Sequence, residues 1–237
     1  MAFLDLCGFR VMMNTPKKAE AILDEFFRTV YEEVGNSRQR TEVVDCIVVS
    51  DCAVAFARTE NSEHDDLNGT NRGNIEAQRL VSLLEFVERV AVRMITREVA
   101  LKGSIMYGPL KYLQTVAGPG RVKAKFLGKA YLNAYVDVER GLPELGLGQI
   151  RIGPRSKIKN LLDHHPEFYT RYRIHPKKGN FYLYWMLRSL GERQKYDSGL
   201  AVRYIKLYDP IISWIKSHAR RELDLRRNWR TRENIGR

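Results

Sequence analysis

The stretch Phe3-Leu4-Asp5-Leu6-Cys7-Gly8-Phe9 decides the fold, together with Val48-Val49-Ser50-Asp51-Cys52-Ala53-Val54-Ala55-Phe56 further along the chain. Each stretch places one aspartate among apolar residues typical of strands. A carboxylate is costly to bury unless a positive group meets it. Two such aspartates at the ends of neighbouring strands therefore predict a cation site. Oxygen-only ligands favour Mg²⁺ or Mn²⁺, and such ions usually serve phosphate chemistry.

The size and composition of the chain are those of a globular protein. Its 237 residues, 44% of them hydrophobic, predict one domain or one domain with a large extension. No apolar run is long enough to span a membrane, and the first residues favour a strand over a signal peptide. The three cysteines, Cys7, Cys46 and Cys52, form no C-x-x-C pair. We therefore expect reduced thiols and a cytoplasmic protein.

The net charge of +12 favours polyanionic partners such as nucleic acid, nucleotides or anionic lipid. Residues 216–237 carry eight Lys/Arg against three Asp/Glu. A basic tail of this kind binds nucleic acid, forms a solvated helix face, or makes an oligomer contact. The sequence leaves these alternatives open.

Hydrophobic periodicity predicts a regular alternation of strands and helices. The order is strand, helix, strand, strand, helix, strand, hairpin, helix, strand, over residues 3–9, 19–34, 43–56 (two strands turning at Ser50-Asp51), 74–99, 101–107, 111–125, 128–140 and 149–152. A polar loop is expected at 59–73. This order predicts an α+β fold with a ferredoxin-like βαββαβ core over residues 1–153. Residues 154–237 are expected to form a basic helical extension packed on that core, with helices near Leu161-Leu162, 181–190 and 200–225.

Gly8 follows the first strand and would allow a sharp backbone turn. Such a turn would present the amides of Cys7, Gly8 and Phe9 to a phosphate as an anion-binding nest. The following helix would add its N-terminal dipole.

Four segments in order resemble the class III nucleotide cyclase catalytic domain. They are Phe3 to Phe9 (F-x-D-x-x-G-F), Ser50-Asp51, the basic strand Lys102 to Gly108, and the segment that runs from Phe126-Leu127-Gly128-Lys129-Ala130 through Asn133-Ala134-Tyr135 to Glu139. Within that class, the series is most similar to the Pycsar antiphage pyrimidine nucleotide cyclases, which also carry a helical C-terminal extension. The resemblance spans residues 2–152.

The resemblance implies an enzyme, a phosphorus–oxygen lyase. It would convert UTP or CTP to the 3′,5′-cyclic mononucleotide and pyrophosphate, as an antiviral signal sensed by a downstream effector. Two Mn²⁺ or Mg²⁺ ions would be bridged by Asp5 and Asp51, with the Leu6 carbonyl on one ion. Lys102 and Lys129 would neutralise the triphosphate, and Asn133 is the candidate transition-state residue. Active sites would form at a homodimer interface.

Departures from the purine-selective cyclases point to a pyrimidine. Those enzymes place a base-reading Lys and Asp where this chain has Ile47 and Lys125. Lys125 is a donor and would favour the uracil O4 over the cytosine amine. The usual transition-state Asn and Arg are replaced by Leu132 and Val136, with Asn133 and Arg140 nearby.

Two other functions fit parts of the sequence. A basic RNA-binding module would use a ferredoxin-like sheet, but such sheets usually carry aromatic residues for base stacking, and these strands offer Val, Ile and Ala. A catalytically lapsed cyclase-like regulator is favoured by Leu132 and Val136 and disfavoured by the intact Asp5/Asp51 pair. The leading hypothesis expects neither a stable nucleic-acid partner nor a membrane.

Overall fold

The chain divides into two compact units, Met1–Trp185 and Met186–Arg237. The structure is a computed structural model, and the residues that it describes all lie in the first unit: 1–37, 43–58, 69–97, 99–116, 122–146, 148–165, 168, 174–177, 179–183 and 185. Within these residues, no helix is both long and apolar enough to cross a membrane.

The first unit is a mixed α/β structure of nine strands and five helices in its described residues. In chain order they are β1 Ala2–Leu6, α1 Phe9–Met12, α2 Pro16–Ser37, β2 Val43–Val49, β3 Cys52–Arg58, α3 Gly69–Ile95, β4 Leu101–Met106, β5 Lys111–Val116, β6 Val122–Leu127, α4 Lys129–Arg140, β7 Ile150–Gly153, α5 Arg155–His164, β8 Ile174–Lys177 and β9 Asn180–Leu183.

Seven strands form one sheet in the order β2-β3-β1-β4-β7-β9-β8, and β5 pairs with β6 as a separate hairpin. The four neighbours β2, β3, β1 and β4 are antiparallel. This is the strand order that a βαββαβ sequence produces when each helical connection passes over one strand. The remaining three strands lengthen the sheet beyond β4 through a parallel β4–β7 pair.

The central strand β1 carries the residues that matter most for the site. All five of its residues are buried; β3 and β4 pair with its two edges, and α4 packs against it. Side chains alternate between the two faces of a strand, so Phe3 and Asp5 share one face. Helix α4 lies over that face, where Tyr135 meets the Phe3 ring edge-on with centroids 5.6 Å apart.

The hairpin of β5 and β6 is held to the sheet by aromatic contacts. Tyr112 and Phe126 both pack on Phe56 of β3, with centroids 5.0 and 5.9 Å from it, and Phe126 stacks on Tyr131 of α4. Phe56, like Phe3, is therefore buried. Neither ring is exposed to stack on a nucleobase, which an RNA-reading sheet would require.

Two parts of the sequence-based prediction differ from the structure. Helix α3 begins at Gly69, inside the expected loop at 59–73; residues 59–68 lie outside the described part. Residues 180–183 form β9, so the helix predicted near 181–190 begins as a strand. Gly179, with φ of +81°, closes a hairpin between β8 and β9, and this turn sets the Phe-Tyr-Leu run of β9 against β7. The predicted helix at 200–225 lies outside the described residues.

Candidate functional site

Three polar side chains share one row near the ends of β3, β1 and β4. Asp5 of β1 is paired directly with Cys52 of β3 on one side and with Lys102 of β4 on the other. Directly opposed residues in antiparallel strands point to the same face, with Cβ atoms about 5 Å apart. The register of three strands therefore brings a carboxylate, a thiol and an ammonium group together.

Asp51 joins this row from the turn between β2 and β3. Ser50 has φ of +54°, the left-handed backbone that a tight hairpin turn requires. The Leu6 amide donates a hydrogen bond to the Asp51 carbonyl at 2.9 Å, which fixes the turn against the end of β1. One ligand atom each from Asp5, Asp51 and Cys52 lie within 4.8 Å of one another.

Burial and neighbouring groups act in opposite directions on the Asp5 carboxyl. Only 8% of the residue is exposed, and this burial raises the pKa of Asp5 above its usual value despite opposition from Lys102 and Cys52. Lys102 Nζ lies 3.1 Å from Asp5 Oδ2. Burial tends to lower the pKa of Lys102, but the hydrogen bond and charge of Asp5 outweigh it, and the pKa of Lys102 rises.

The Cys52 thiol lies between the two carboxylates. Its sulfur donates to Asp5 Oδ1 at 3.4 Å and approaches Asp51 Oδ1 at 3.9 Å. Burial first, and then the charges of Asp5 and Asp51, raise the pKa of the Cys52 thiol. A thiol with a raised pKa keeps its proton and donates to the carboxylates, but as a neutral group it cancels none of their charge.

The turn after β1 has the shape that the sequence predicted. Gly8 adopts φ of +77° and precedes the short helix α1, while Phe9 is buried. The Cys7 amide, however, donates to the Ala100 carbonyl at 2.9 Å. A phosphate at this turn could therefore be met by Gly8 and Phe9, but the Cys7 amide already has a partner.

Helix α4 presents the other predicted residues away from Asp5. Ala130, Ala134 and Val138 form its buried stripe. Leu132 and Val136 are 57% and 43% exposed, and Lys129 and Asn133 are exposed on the same outer side. Within one chain, the structure does not bring Lys129 or Asn133 to the two aspartates.

The two residues predicted to read the base are also separate within one chain. Ile47 of β2 belongs to the row Ile47–Val54–Phe3, next to the row of Asp5 and on the same face. Lys125 of β6 is opposite Leu113 and alternates with Phe126, which packs on Phe56. Lys125 is therefore exposed on the outer face of the hairpin.

The donor set fits a divalent cation. Asp5 and Asp51 offer carboxylate oxygens at the mutual spacing that one ion can span. Asp5 is buried, and its carboxylate is now balanced by Lys102 and a thiol proton, both of which a cation could replace.

No role in the site was assigned to Cys52 from the sequence, although its place directly after Asp51 in a predicted hairpin was a usable signal. Glu139, in the last turn of α4, ends the segment that carries the resemblance but had no role assigned to it. Its charge contributes to the raised pKa of Lys102 and of Cys52. It lies eight residues after Tyr131 and four after Tyr135, on the helix side that meets Phe3.

Comparison with solved structures gives a distant likeness. No family model matches the sequence, and no curated protein matches it. A crystal structure of the guanylyl cyclase Cya2 is similar to this chain, with 15% sequence identity and a TM-score of 0.42 over 77% of this chain and 87% of that one. A likeness this distant carries no inference about activity, so the chemistry of the site rests on its own residues.

Proposed function

We propose that this chain is a nucleotidyl cyclase that converts a pyrimidine nucleoside triphosphate, UTP in preference to CTP, to the 3′,5′-cyclic mononucleotide and pyrophosphate. The observation that carries the proposal is the convergence of Asp5, Asp51 and Cys52 within 4.8 Å, with the Lys102 ammonium 3.1 Å from Asp5. A buried and a half-buried carboxylate beside a lysine ammonium can supply the positioning and charge neutralisation that a phosphoryl transfer needs.

The reaction is intramolecular: the ribose 3′-oxygen attacks the α-phosphorus, the bond to the β-phosphate oxygen breaks, and pyrophosphate leaves. Asp5 and Asp51, with the Leu6 carbonyl, would hold two Mn²⁺ or Mg²⁺ ions. Such ions acidify the 3′-hydroxyl and neutralise the triphosphate. Lys102, released from Asp5 when a cation binds, is then free to pair with phosphate oxygens. Gly8 and Phe9 would add backbone amides on the other side.

The outer side of α4 supports a homodimer as part of this proposal. Exposed Leu132, Tyr135 and Val136 form an apolar strip that a second copy of the chain would cover. Lys129 and Asn133 lie beside this strip, turned away from their own aspartates. In a dimer closed over this strip they would act on the partner's site, as would Lys125 on the outer face of the hairpin.

Base choice follows from the same arrangement. Ile47 offers no hydrogen bond to a base, while Lys125 offers only donors. A donor aimed at position 4 of the pyrimidine donates to the O4 of uracil, whereas the amino group of cytosine would face it as a second donor. An unpaired buried donor costs about 1–3 kcal/mol, which corresponds to a preference for UTP of about 5- to 150-fold. An antiphage signalling role and a downstream effector remain part of the proposal by resemblance alone.

The test is direct product analysis. The full chain is incubated separately with ATP, GTP, CTP and UTP in the presence of Mn²⁺. The 3′,5′-cyclic product and pyrophosphate are both measured, and they should form in equal amounts. The expected result is product from UTP, less from CTP, and none above background with Asp51→Asn. Asp163→Asn, at the exposed end of α5, is the matched carboxyl-to-amide control and should retain activity.

Three outcomes would contradict the proposal in different places. If no nucleotide yields product, the chain is not a cyclase. If Asp51→Asn still forms product, the reaction does not depend on the proposed site. If CTP is turned over faster than UTP, the role given to Lys125 is wrong, but the assignment of the reaction still holds.

A further inference from the structure

The site differs from an all-oxygen dication site by one residue. Cys52 belongs to this cluster because the pairing register places it directly beside Asp5 and the turn places it next to Asp51. Its sulfur is within 4 Å of an oxygen of each carboxylate. The half-buried side chain remains reachable from solvent.

We propose that Cys52 turns this cluster into an Asp–Asp–Cys site that binds a thiophilic divalent cation, Zn²⁺ or Cd²⁺, through its sulfur and more tightly than it binds Mg²⁺. Thiolate ligands select zinc and other borderline or soft ions, whereas Mg²⁺ takes oxygen ligands. Two carboxylates and one thiolate give three protein ligands, which leaves one position of a tetrahedral zinc ion open.

The charge balance of such a complex is simple. The ion displaces the proton of the neutral thiol, which is released to solvent, and the Lys102 ammonium, which moves off Asp5. Two carboxylates and a thiolate carry three negative charges against two on the ion, so Lys102 can remain nearby as the balancing cation. The aspartates need not move far, because their oxygens and the sulfur already lie within 4.8 Å of one another.

A consequence for catalysis rests on the proposed function, while the binding itself does not. Zinc held by sulfur would occupy the place of the ions that carry the nucleotide, and it would therefore inhibit cyclisation supported by Mn²⁺. Cys52→Ser should make the proposed activity less sensitive to added Zn²⁺, compared with the uninhibited rate of the same variant.

The binding test uses the metal alone. The full chain, freed of metal by chelation, is titrated with Cd²⁺ and followed by the near-ultraviolet thiolate-to-metal charge-transfer band, and Zn²⁺ affinity is measured by competition with a chromophoric chelator. The wild-type chain should show the band, and Mg²⁺ in large excess should not abolish it. Cys52→Ser should lose the band and bind Zn²⁺ about tenfold more weakly or worse, since even outer partners of metal ligands are worth about 10- to 100-fold.

Cys46→Ser is the matched control. Cys46 lies on β2 opposite Ala55, three residues before Val49 and thus on the other face of the sheet from Cys52, so its variant should keep the band. A second readout needs no variant: bound Zn²⁺ should protect Cys52 from alkylation, mapped by mass spectrometry, without protecting Cys46.

Absence of the band in the wild-type chain, or its survival in Cys52→Ser, would overturn the inference. Equal alkylation of Cys52 with and without Zn²⁺ would do the same. None of these measurements uses a nucleotide. If the chain binds Cd²⁺ through Cys52 but makes no cyclic product, the proposed function is wrong and the inference about the metal site still holds.

Discussion

Lys102 Nζ lies 3.1 Å from Asp5 Oδ2, so the ammonium group expected to bind a triphosphate instead pairs with the carboxylate proposed to bind the metal ions. The two roles are compatible only if Lys102 exchanges partners when a metal ion and nucleotide arrive. Lys102→Met keeps the length of the side chain and removes its charge. We expect it to strengthen Mn²⁺ binding in the absence of nucleotide, because the competing ammonium is gone, and to reduce turnover at least tenfold.

Isothermal titration with Mn²⁺ and steady-state kinetics measure these two effects on the same protein. Lys111→Met, at an exposed residue of β5, is the matched control and should change neither. Weaker Mn²⁺ binding by Lys102→Met would show that Lys102 supports the metal site rather than competing for it.

The apolar strip on α4 predicts the oligomeric state. Leu132→Asp should weaken self-association at least tenfold, about 1.4 kcal/mol, because it places a charge within a face that the proposed dimer buries. Sedimentation equilibrium measures the change. Tyr31→Asp, at a residue of α2 that is 48% exposed, should leave the association constant unchanged, and a monomeric wild-type chain that still forms cyclic product would refute the interface.

Arg151 holds α4 against the sheet. Its guanidinium, only 4% exposed, pairs with Asp137 Oδ1 at 2.5 Å, donates to the Pro143 carbonyl, and lies over the Tyr182 ring. Arg151→Met leaves Asp137 without its partner, and breaking a buried pair in this way costs about 3–5 kcal/mol. Urea unfolding should show a loss of that size. Adding Asp137→Asn should recover part of it, and a purely additive double variant would contradict the coupling.

Two glycines offer opposite predictions for the same substitution. A Cβ at Gly103 would lie 2.7 Å from Leu4 Cδ2 and 2.8 Å from the Phe3 carbonyl oxygen, so Gly103→Ala must push β4 away from β1. We expect a loss of about 1–3 kcal/mol. Gly35→Ala, in α2 with no atom within 4 Å of the new methyl, should gain up to about 1 kcal/mol. Melting temperatures of both variants against wild type provide the check.

The Cys46 thiol predicts a pH dependence of stability. Burial raises its pKa above the ordinary value of 9.0, so the folded chain keeps a proton that the unfolded chain loses as the pH rises. This contribution to stability is complete below pH 9 and is lost above it. Urea unfolding at pH 7.5 and pH 10 should therefore show a smaller decline for Cys46→Ala than for wild type. An equal decline would mean that this thiol ionises normally in the folded state.

Much of the fold could be read from local patterns. The two apolar runs around Asp5 and Asp51, and the helical periodicity of α2, α3 and α4, predicted their elements because side-chain periodicity is set by the residues nearest in the chain. The order of these elements then restricted the strand arrangement to few choices. The run Phe181-Tyr182-Leu183 was predicted to be helical but forms a strand, because short apolar segments fit a helix or a strand equally well. Its pairing with β7 decided between them.

The sequence by itself determined that two aspartates end neighbouring strands and that Gly8 turns the chain after the first. Only the tertiary structure decided the rest: that Cys52 and Lys102 flank Asp5, that the Cys7 amide is already bonded, and that Asn133 and Lys125 face outward. These relations depend on register between residues about 50 to 100 positions apart. A shift of one residue in either strand pair would turn Cys52 or Lys102 to the opposite face, and nothing local to those residues fixes that register.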